Sequence, residues 1–179
     1  MTEEQVRNIV IREWTTDDFV DVRRIMWATW LATYASFIPE ADLKSYLDSH
    51  YSLEGLGKMF HTPDVHGFIA EIEGAPAACQ RTQYNREEGR FYVQSLYVLP
   101  SCQGKGLGTL LMEAAETCAR RYGVNAVWLG VMVHNSGALA WYRNMGFEFV
   151  EKMPFTIGGT TVDHLIGFRR IGMTKEGEL

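Results

Sequence analysis

The stretch from Phe91 to Val131 constrains the fold most. Within Gly89 to Leu99, the residues Phe91, Tyr92, Val93, Leu96, Tyr97 and Val98 predict a long, well-buried strand. Glycines between Gly104 and Gly108 break it. Leu107, Leu110, Leu111, Ala114, Ala115, Cys118 and Tyr122 then fall on one face of a helix. Ala126 to Val131 is a second compact apolar strand. Strand, helix and strand in this order call for a parallel pair joined by a right-handed crossover, since a tight turn cannot join parallel strands.

The flanking segments make the sheet mixed. Val6 to Arg12 is a β-rich run that fits a first strand. Thr15-Thr16-Asp17-Asp18 supplies capping side chains and first-turn acids for a helix carrying Phe19, Val22, Ile25, Met26 and Trp30, which ends before Ile38-Pro39. Pro39 in a first turn opens a short helix through Leu43, Tyr46 and Leu47, and Ser52 caps another through Leu53, Leu56 and Phe60. These helices are expected to form one lip of a cleft. Val65 to Ile72 and Ala75 to Thr82 read as a hairpin about Glu73-Gly74. Asn135-Ser136 begins a helix with Ala138, Trp141, Tyr142 and Met145, stopped by Gly146. Phe147 to Ile157 and Thr160 to Phe168 close the chain as a hairpin around Gly158-Gly159. The expected class is therefore α+β in layers: a mixed, mostly antiparallel sheet with one central parallel strand pair and helices on both faces.

At 179 residues, with no repeat, low-complexity tract or linker, residues 1–179 read as one domain. Lys and Arg number 17 against 22 Asp and Glu, a net charge of −5. That balance disfavours a general grip on nucleic acid or an anionic membrane and suits a cationic small molecule. No apolar run reaches the roughly 18 residues of a membrane span, and the start, Met1-Thr2-Glu3-Glu4, is acidic where a signal peptide is basic. A cytoplasmic protein is expected. Cys79, Cys102 and Cys118 show no CxxC spacing and read as free thiols, and the five histidines lack metal-ligand spacing.

Gln103-Gly104-Lys105-Gly106-Leu107-Gly108 lies between the long strand and the N-terminus of the strongest helix, where unpaired N–H groups favour a phosphate. Without β-carbons at 104, 106 and 108 the backbone can approach an anion closely, and Lys105 adds a cation. A turn serving only geometry is the alternative. A dinucleotide fingerprint needs GxGxxG and a later acid, but Trp128-Leu129-Gly130 stands where that acid belongs. No GxxxxGK[ST] string occurs, so a P-loop ATPase or GTPase is disfavoured.

Leu96-Tyr97-Val98-Leu99-Pro100 followed by Gln103-x-x-Gly106-x-Gly108 resembles the acyl-CoA pyrophosphate motif, Q/R-x-x-G-x-G/A, of the GNAT N-acetyltransferase superfamily. Asn135-x-x-Ala138-x-x-x-Tyr142-x-x-x-Gly146-Phe147 is similar to that family's following motif. Together the two blocks bracket about a third of the chain, from Leu96 to Phe147. A looser resemblance, through Thr33-Tyr34 to Tyr46-Leu47, Trp128 to Val131 and the terminal hairpin with Thr161, Asp163 and Leu165, is to bacterial polyamine acetyltransferases.

The resemblance implies acetyl-CoA as acyl donor, with pantetheine lying between the two parallel strands as an added strand would. Leu96, Tyr97 and Val98 stand at the matching strand. Gln103, Gly104, Lys105, Gly106, Leu107, Gly108 and Thr109 would hold the pyrophosphate, and Asn135 the pantetheine arm, with an ordinary helix N-cap as the alternative for Asn135. Val98 N–H is the implied oxyanion donor, and Tyr142 the general acid that protonates the departing sulfur. The implied reaction is direct attack by a primary amine in a ternary complex. A small amine such as a polyamine is the first acceptor, and a homodimer is left open as the assembly.

The chain departs from the family where a glutamate often precedes the phosphate loop, for Gln94 stands there and cannot serve as a base. Glu71, His66, His134, Asp163 and His164 are candidate substitutes, beside a water relay. Cys102 reads as a bystander thiol, and Trp27 and Trp30 as candidates to line the acceptor cleft. Two rival readings stand. A protein or peptide acceptor would be marked by a wide neutral cleft; a non-catalytic acyl-CoA sensor is favoured by Gln94 and opposed by Tyr142.

Overall fold

A computed structural model describes residues 8–172. The elements run β1 (Ile9–Glu13), α1 (Phe19–Tyr34), α2 (Glu40–His50), α3 (Leu53–Phe60), β2 (Val65–Ile72), β3 (Ala75–Asn85), β4 (Arg90–Val98), α4 (Leu107–Arg121), β5 (Ala126–Met132), α5 (Ser136–Asn144), β6 (Glu148–Ile157) and β7 (Thr160–Arg170). Every expected element is present. Val6 and Arg7, expected at the start of the first strand, lie outside the described residues. Pro39 stands just before α2, as its N-cap, rather than inside the first turn. Ser52 caps α3 by accepting the Gly55 N–H at 3.0 Å.

One seven-stranded sheet has the order β1-β2-β3-β4-β5-β7-β6. All neighbours are antiparallel except β4 and β5. The β2–β3 hairpin turns through Glu73 and Gly74 with φ of 52° and 78°, both in the left-handed region that a two-residue hairpin turn requires. Two apolar layers sandwich the sheet. On one face Phe91, Val93, Val127 and Leu129 pack under Leu107, Leu111 and Met112 of α4 and Leu139 of α5. On the other, Ile69, Cys79, Ile157 and Val162 meet Ile25, Trp30, Leu43 and Leu56 of α1–α3.

An ion cluster anchors α1 to the sheet. Arg12 on β1 grips both carboxylate oxygens of Asp18 at 2.8 and 2.7 Å and donates to Glu71 of β2 at 2.9 Å, while the Thr15 N–H donates to Asp18 at 2.7 Å. Asp18 is buried, and the Arg12 guanidinium holds its carboxyl below the usual 3.8. Removing one partner of a buried pair strands the other, so Arg12→Met should cost about 3 kcal/mol in urea unfolding. Because the folded pKa is depressed, that contribution is fully present above the unfolded value and is lost as pH falls through the lowered one. The wild-type and variant stabilities should therefore converge in acid.

Candidate active site

The site begins with a defect in the sheet. Arg81 of β3 pairs with Ser95 and Thr82 with Val93, which leaves Gln94 of β4 as an extra residue in a β-bulge. The parallel β4–β5 pairing runs only through Phe91↔Val127, Tyr92↔Trp128 and Val93↔Leu129. It stops where the bulge begins, and beyond it the strands part. The Leu99 N–H donates to Ala77 O at 2.9 Å. By the alternation of an antiparallel ladder, Tyr97 also turns its main chain to β3, whereas Leu96 and Val98 turn theirs toward the gap.

The glycine loop borders the α4 face of that gap. Gly104 and Gly106 have φ of 74° and 83°, a left-handed backbone that bends the chain into α4 with Gly106 as N-cap. Leu110 N–H is the first to bond back along the helix, to Gly106 O at 3.1 Å. The N–H groups of Leu107, Gly108 and Thr109 are thus the free donors at the positive end of a 15-residue helix. Leu107 sinks its side chain into the core. Gly108 serves packing: a β-carbon there would lie 3.1 Å from the Trp141 ring. Gln103 donates to Val98 O at 3.3 Å and Lys105 to Ser101 O at 2.9 Å, so both brace the loop.

A cavity of about 320 Å³ passes through the parted strands. Leu96, Ala138 and Tyr142 line it from the α4–α5 layer, and Trp30, Tyr34, Tyr46, Tyr51 and Tyr97 from the α1–α3 layer. Trp30, 2% exposed, is the hub of the aromatic wall, with Tyr46, Tyr51 and Tyr97 ring centroids 5.9 to 6.1 Å away. Burial pushes the phenols of Tyr34, to about 12, and of Tyr97 and Tyr142 upward, so they stay protonated at neutral pH. The rim between α2 and β6–β7 is fastened, since Asp42 accepts the Gly159 N–H at 3.0 Å and the Thr160 hydroxyl at 2.6 Å.

A two-sided cavity through splayed parallel strands, beside a glycine-bent helix start, is a group-transfer geometry. Residues 19–147 match the family described as Acetyltransferase (GNAT). The chain belongs to the GNAT family. It is an acetyl-CoA-dependent N-acetyltransferase. An uncharacterised N-acetyltransferase of Lactobacillus delbrueckii subsp. lactis is 23% identical over 159 residues, 86% of this chain and 90% of that protein. Streptothricin acetyltransferase of Streptomyces lavendulae is 35% identical over 87 residues, spanning 48% of this chain and 46% of its own length. In fold, the chain is similar to PaiA N-acetyltransferase from Thermoplasma acidophilum, solved in complex with coenzyme A, with a TM-score of 0.78 at 21% identity over 91% of this chain and 99% of that one. The GNAT donor fits the residues present: three free amides at α4 suit its pyrophosphate, and the main chains of Leu96 and Val98 facing the gap suit its amide-bearing arm.

Of the motif residues, Leu96, Tyr97, Asn135 and Tyr142 line the cavity, whereas Val98 and the loop from Gln103 to Thr109 lie outside its wall. Asn135 sits on the cavity wall and also caps α5, accepting the Ala138 N–H at 3.2 Å, so the capping alternative is realised without removing it from the site. Tyr97 takes a different place from the one the motif suggests: its ring belongs to the α1–α3 wall and its main chain to β3. Trp30 lines the cavity, whereas Trp27, also on α1, packs against the buried cluster of that layer and does not line it.

The candidate proton acceptors scatter. Glu71 is taken by Arg12, His66 bonds the Tyr122 hydroxyl at 2.7 Å, His134 stacks on Phe37 and Asp163 pairs with Lys152. Only His164 among them lines the cavity. Burial lowers its pKa below 6.5, against a smaller opposing effect of the Gly130 backbone. Gly130 makes room for it: a β-carbon there would stand 2.3 Å from the imidazole. Sequence reasoning missed Tyr51 and Arg81 on the wall; neither carries a motif.

Proposed function

We propose that the cavity is where an acetyl group passes from acetyl-CoA to the primary amine of a small molecule, by direct attack with both substrates bound. One observation carries this reading: a single cavity reaches from Leu96, Ala138 and Tyr142 on one side of the sheet to the tyrosine-lined wall on the other, past the bulge at Gln94. Acetyl-CoA, when bound, supplies an activated thioester. The amides from Gly104 to Thr109 hold its pyrophosphate, and Leu96, Val98 and Asn135 orient its arm. Val98 N–H, turned into the gap, is the donor available to the acyl oxygen. Tyr142, kept protonated by burial, gives its proton to the sulfur. An alkyl ammonium has a pKa near 10.4 and must lose a proton before attack. His164, neutral at pH 7, takes it.

The fastened rim and the modest volume, near the lower end of the roughly 300 to 1,000 Å³ of small-ligand pockets, favour a small molecule over a peptide. The spermidine-like acceptor expected from the net charge finds no carboxylate on the wall among the described residues. We therefore limit the proposal to a small primary amine. The sheet runs from Ile9 to Arg170 without interruption, which supports reading residues 1–179 as one acetyltransferase domain.

Thiol release with acetyl-CoA and a panel of small amines and amino-terminal peptides tests the reading. Release with small amines is expected; release with peptides alone would replace it by the peptide reading, and tight acetyl-CoA binding without release by the sensor reading. His164→Gln should lower kcat/KM about tenfold, with water taking over part of the proton transfer. Since burial depresses the imidazole pKa, the acid limb of the wild-type profile should lie below pH 6.5 and vanish in the variant. An unaltered profile would remove His164 from the reaction.

A further inference from the structure

The cavity wall holds one formally charged side chain among the described residues, and it is a cation. Arg81 lies on β3, opposite Ser95 at the bulge, and both line the cavity. Its side chain belongs to the α1–α3 side of the sheet, the side of its ladder neighbour Cys79, and so faces away from α4 and the glycine loop. The guanidinium has no hydrogen-bond or ion-pair partner among the described residues, and its Nε is fully shielded from solvent. Other inward-facing arginines of this chain are paired: Arg12 with Asp18 and Glu71, Arg169 with Glu116.

With Nε shielded and no protein partner on its terminal nitrogens, the guanidinium offers the cavity a planar fork shaped for two oxygens of one carboxylate. The anion that completes it is not the coenzyme's diphosphate, which the glycine loop would receive on the opposite face. It belongs to the acceptor. We propose that the acceptor is an amino acid or related amino carboxylate, whose amine is presented to the strand gap while its carboxylate is read by Arg81. The inference rests on the acetyltransferase reading above. Ser95, the cross-strand partner of Arg81, adds a hydroxyl to the wall, and Tyr46, whose phenol feels the Arg81 charge, adds another. A polycation would meet Arg81 with like charge and find no acid on the wall.

The test pairs each acid with its own neutral amide: L-lysine, L-glutamate, glycine and β-alanine against L-lysinamide, L-glutamic acid 1-amide, glycinamide and β-alaninamide, with spermidine as the cationic arm. In thiol release from acetyl-CoA, the best acid should exceed its amide by at least about tenfold in kcat/KM, the scale of a charge-assisted hydrogen-bond pair. Arg81→Met should collapse that ratio toward one and Arg81→Lys should restore part of it, with thermal melts showing both variants folded. Equal use of acid and amide, preference for spermidine, or a ratio untouched in Arg81→Met overturns the carboxylate inference while leaving amine acetylation standing. Absence of release with every member overturns both.

Discussion

Replacing Tyr142 by phenylalanine should lower kcat about 10²- to 10³-fold while the Kd for acetyl-CoA stays within about twofold of wild type, the size and pattern expected when a positioned acid is lost. The ring of Tyr142 packs on Trp141 and Phe147 at centroid distances of 4.8 and 5.3 Å, and phenylalanine keeps those contacts, so the melting temperature should move by only a few degrees. On the proposed reading, the hydroxyl is the part the reaction uses. Burial raises its pKa above the usual 10, which makes the phenol a weaker acid but fixes its role: it holds a proton across the working range and cannot act as a base. The wild-type rate should therefore show no alkaline limb from this group below pH 10. Single-turnover measurement separates the chemical step from product release, and an unchanged rate in Tyr142→Phe would reduce the residue to core packing.

What the sequence carries of this site is local. The glycines at 104 and 106 announce a left-handed bend before a helix, because few other residues tolerate it, and Asn135 announces a helix start because its side chain can cap one. Tyr142 follows at two helical turns from Asn135. Each of these is legible from a window of a few residues. The bulge at Gln94 is not, since it exists only as a mismatch between the register of β3 and that of β4. Arg81 is illegible for the same reason. In the sequence Gln80-Arg81-Thr82 it looks like the exposed member of an alternating strand, and only the packing of α1–α3 over that face turns it into a cation on a cavity wall.

The net charge does not decide the acceptor. A balance of −5 suggested a cationic acceptor, yet the acids sit in outward ion pairs such as Asp48 with Lys44 and Asp64 with Arg86. The field inside a cavity is set by the nearest charges rather than by the sum, because exposed charges more than about 10 Å away are screened by salt. His164 was one of five equal candidates in the sequence. The fold brings it alone of the five to the cavity, with β7 beside β5 at the glycine that leaves space for its ring.

The glycine loop supplies the second large effect. Gly104 and Gly106 both adopt positive φ, and a β-carbon at either position would meet nothing within 4 Å. A side chain there is opposed by backbone torsion alone, at roughly 1 to 2 kcal/mol per residue for the left-handed region and more for a β-branched one. Relieving that strain means unwinding the bend, which on the proposed reading turns the free N–H groups of Leu107, Gly108 and Thr109 away from the coenzyme's phosphates. The Gly104→Val/Gly106→Val double variant should therefore weaken acetyl-CoA about 10²-fold by calorimetry. Gly104→Asn/Gly106→Asn should lose only a few-fold, because asparagine tolerates the same torsions. The contrast distinguishes torsion from bulk, since valine and asparagine differ little in size. Desulfo-CoA, which keeps the diphosphate without the thiol, should follow the same order. If both variants bind like wild type, the amides at the start of α4 are not where the diphosphate rests, and the loop serves only to turn the chain.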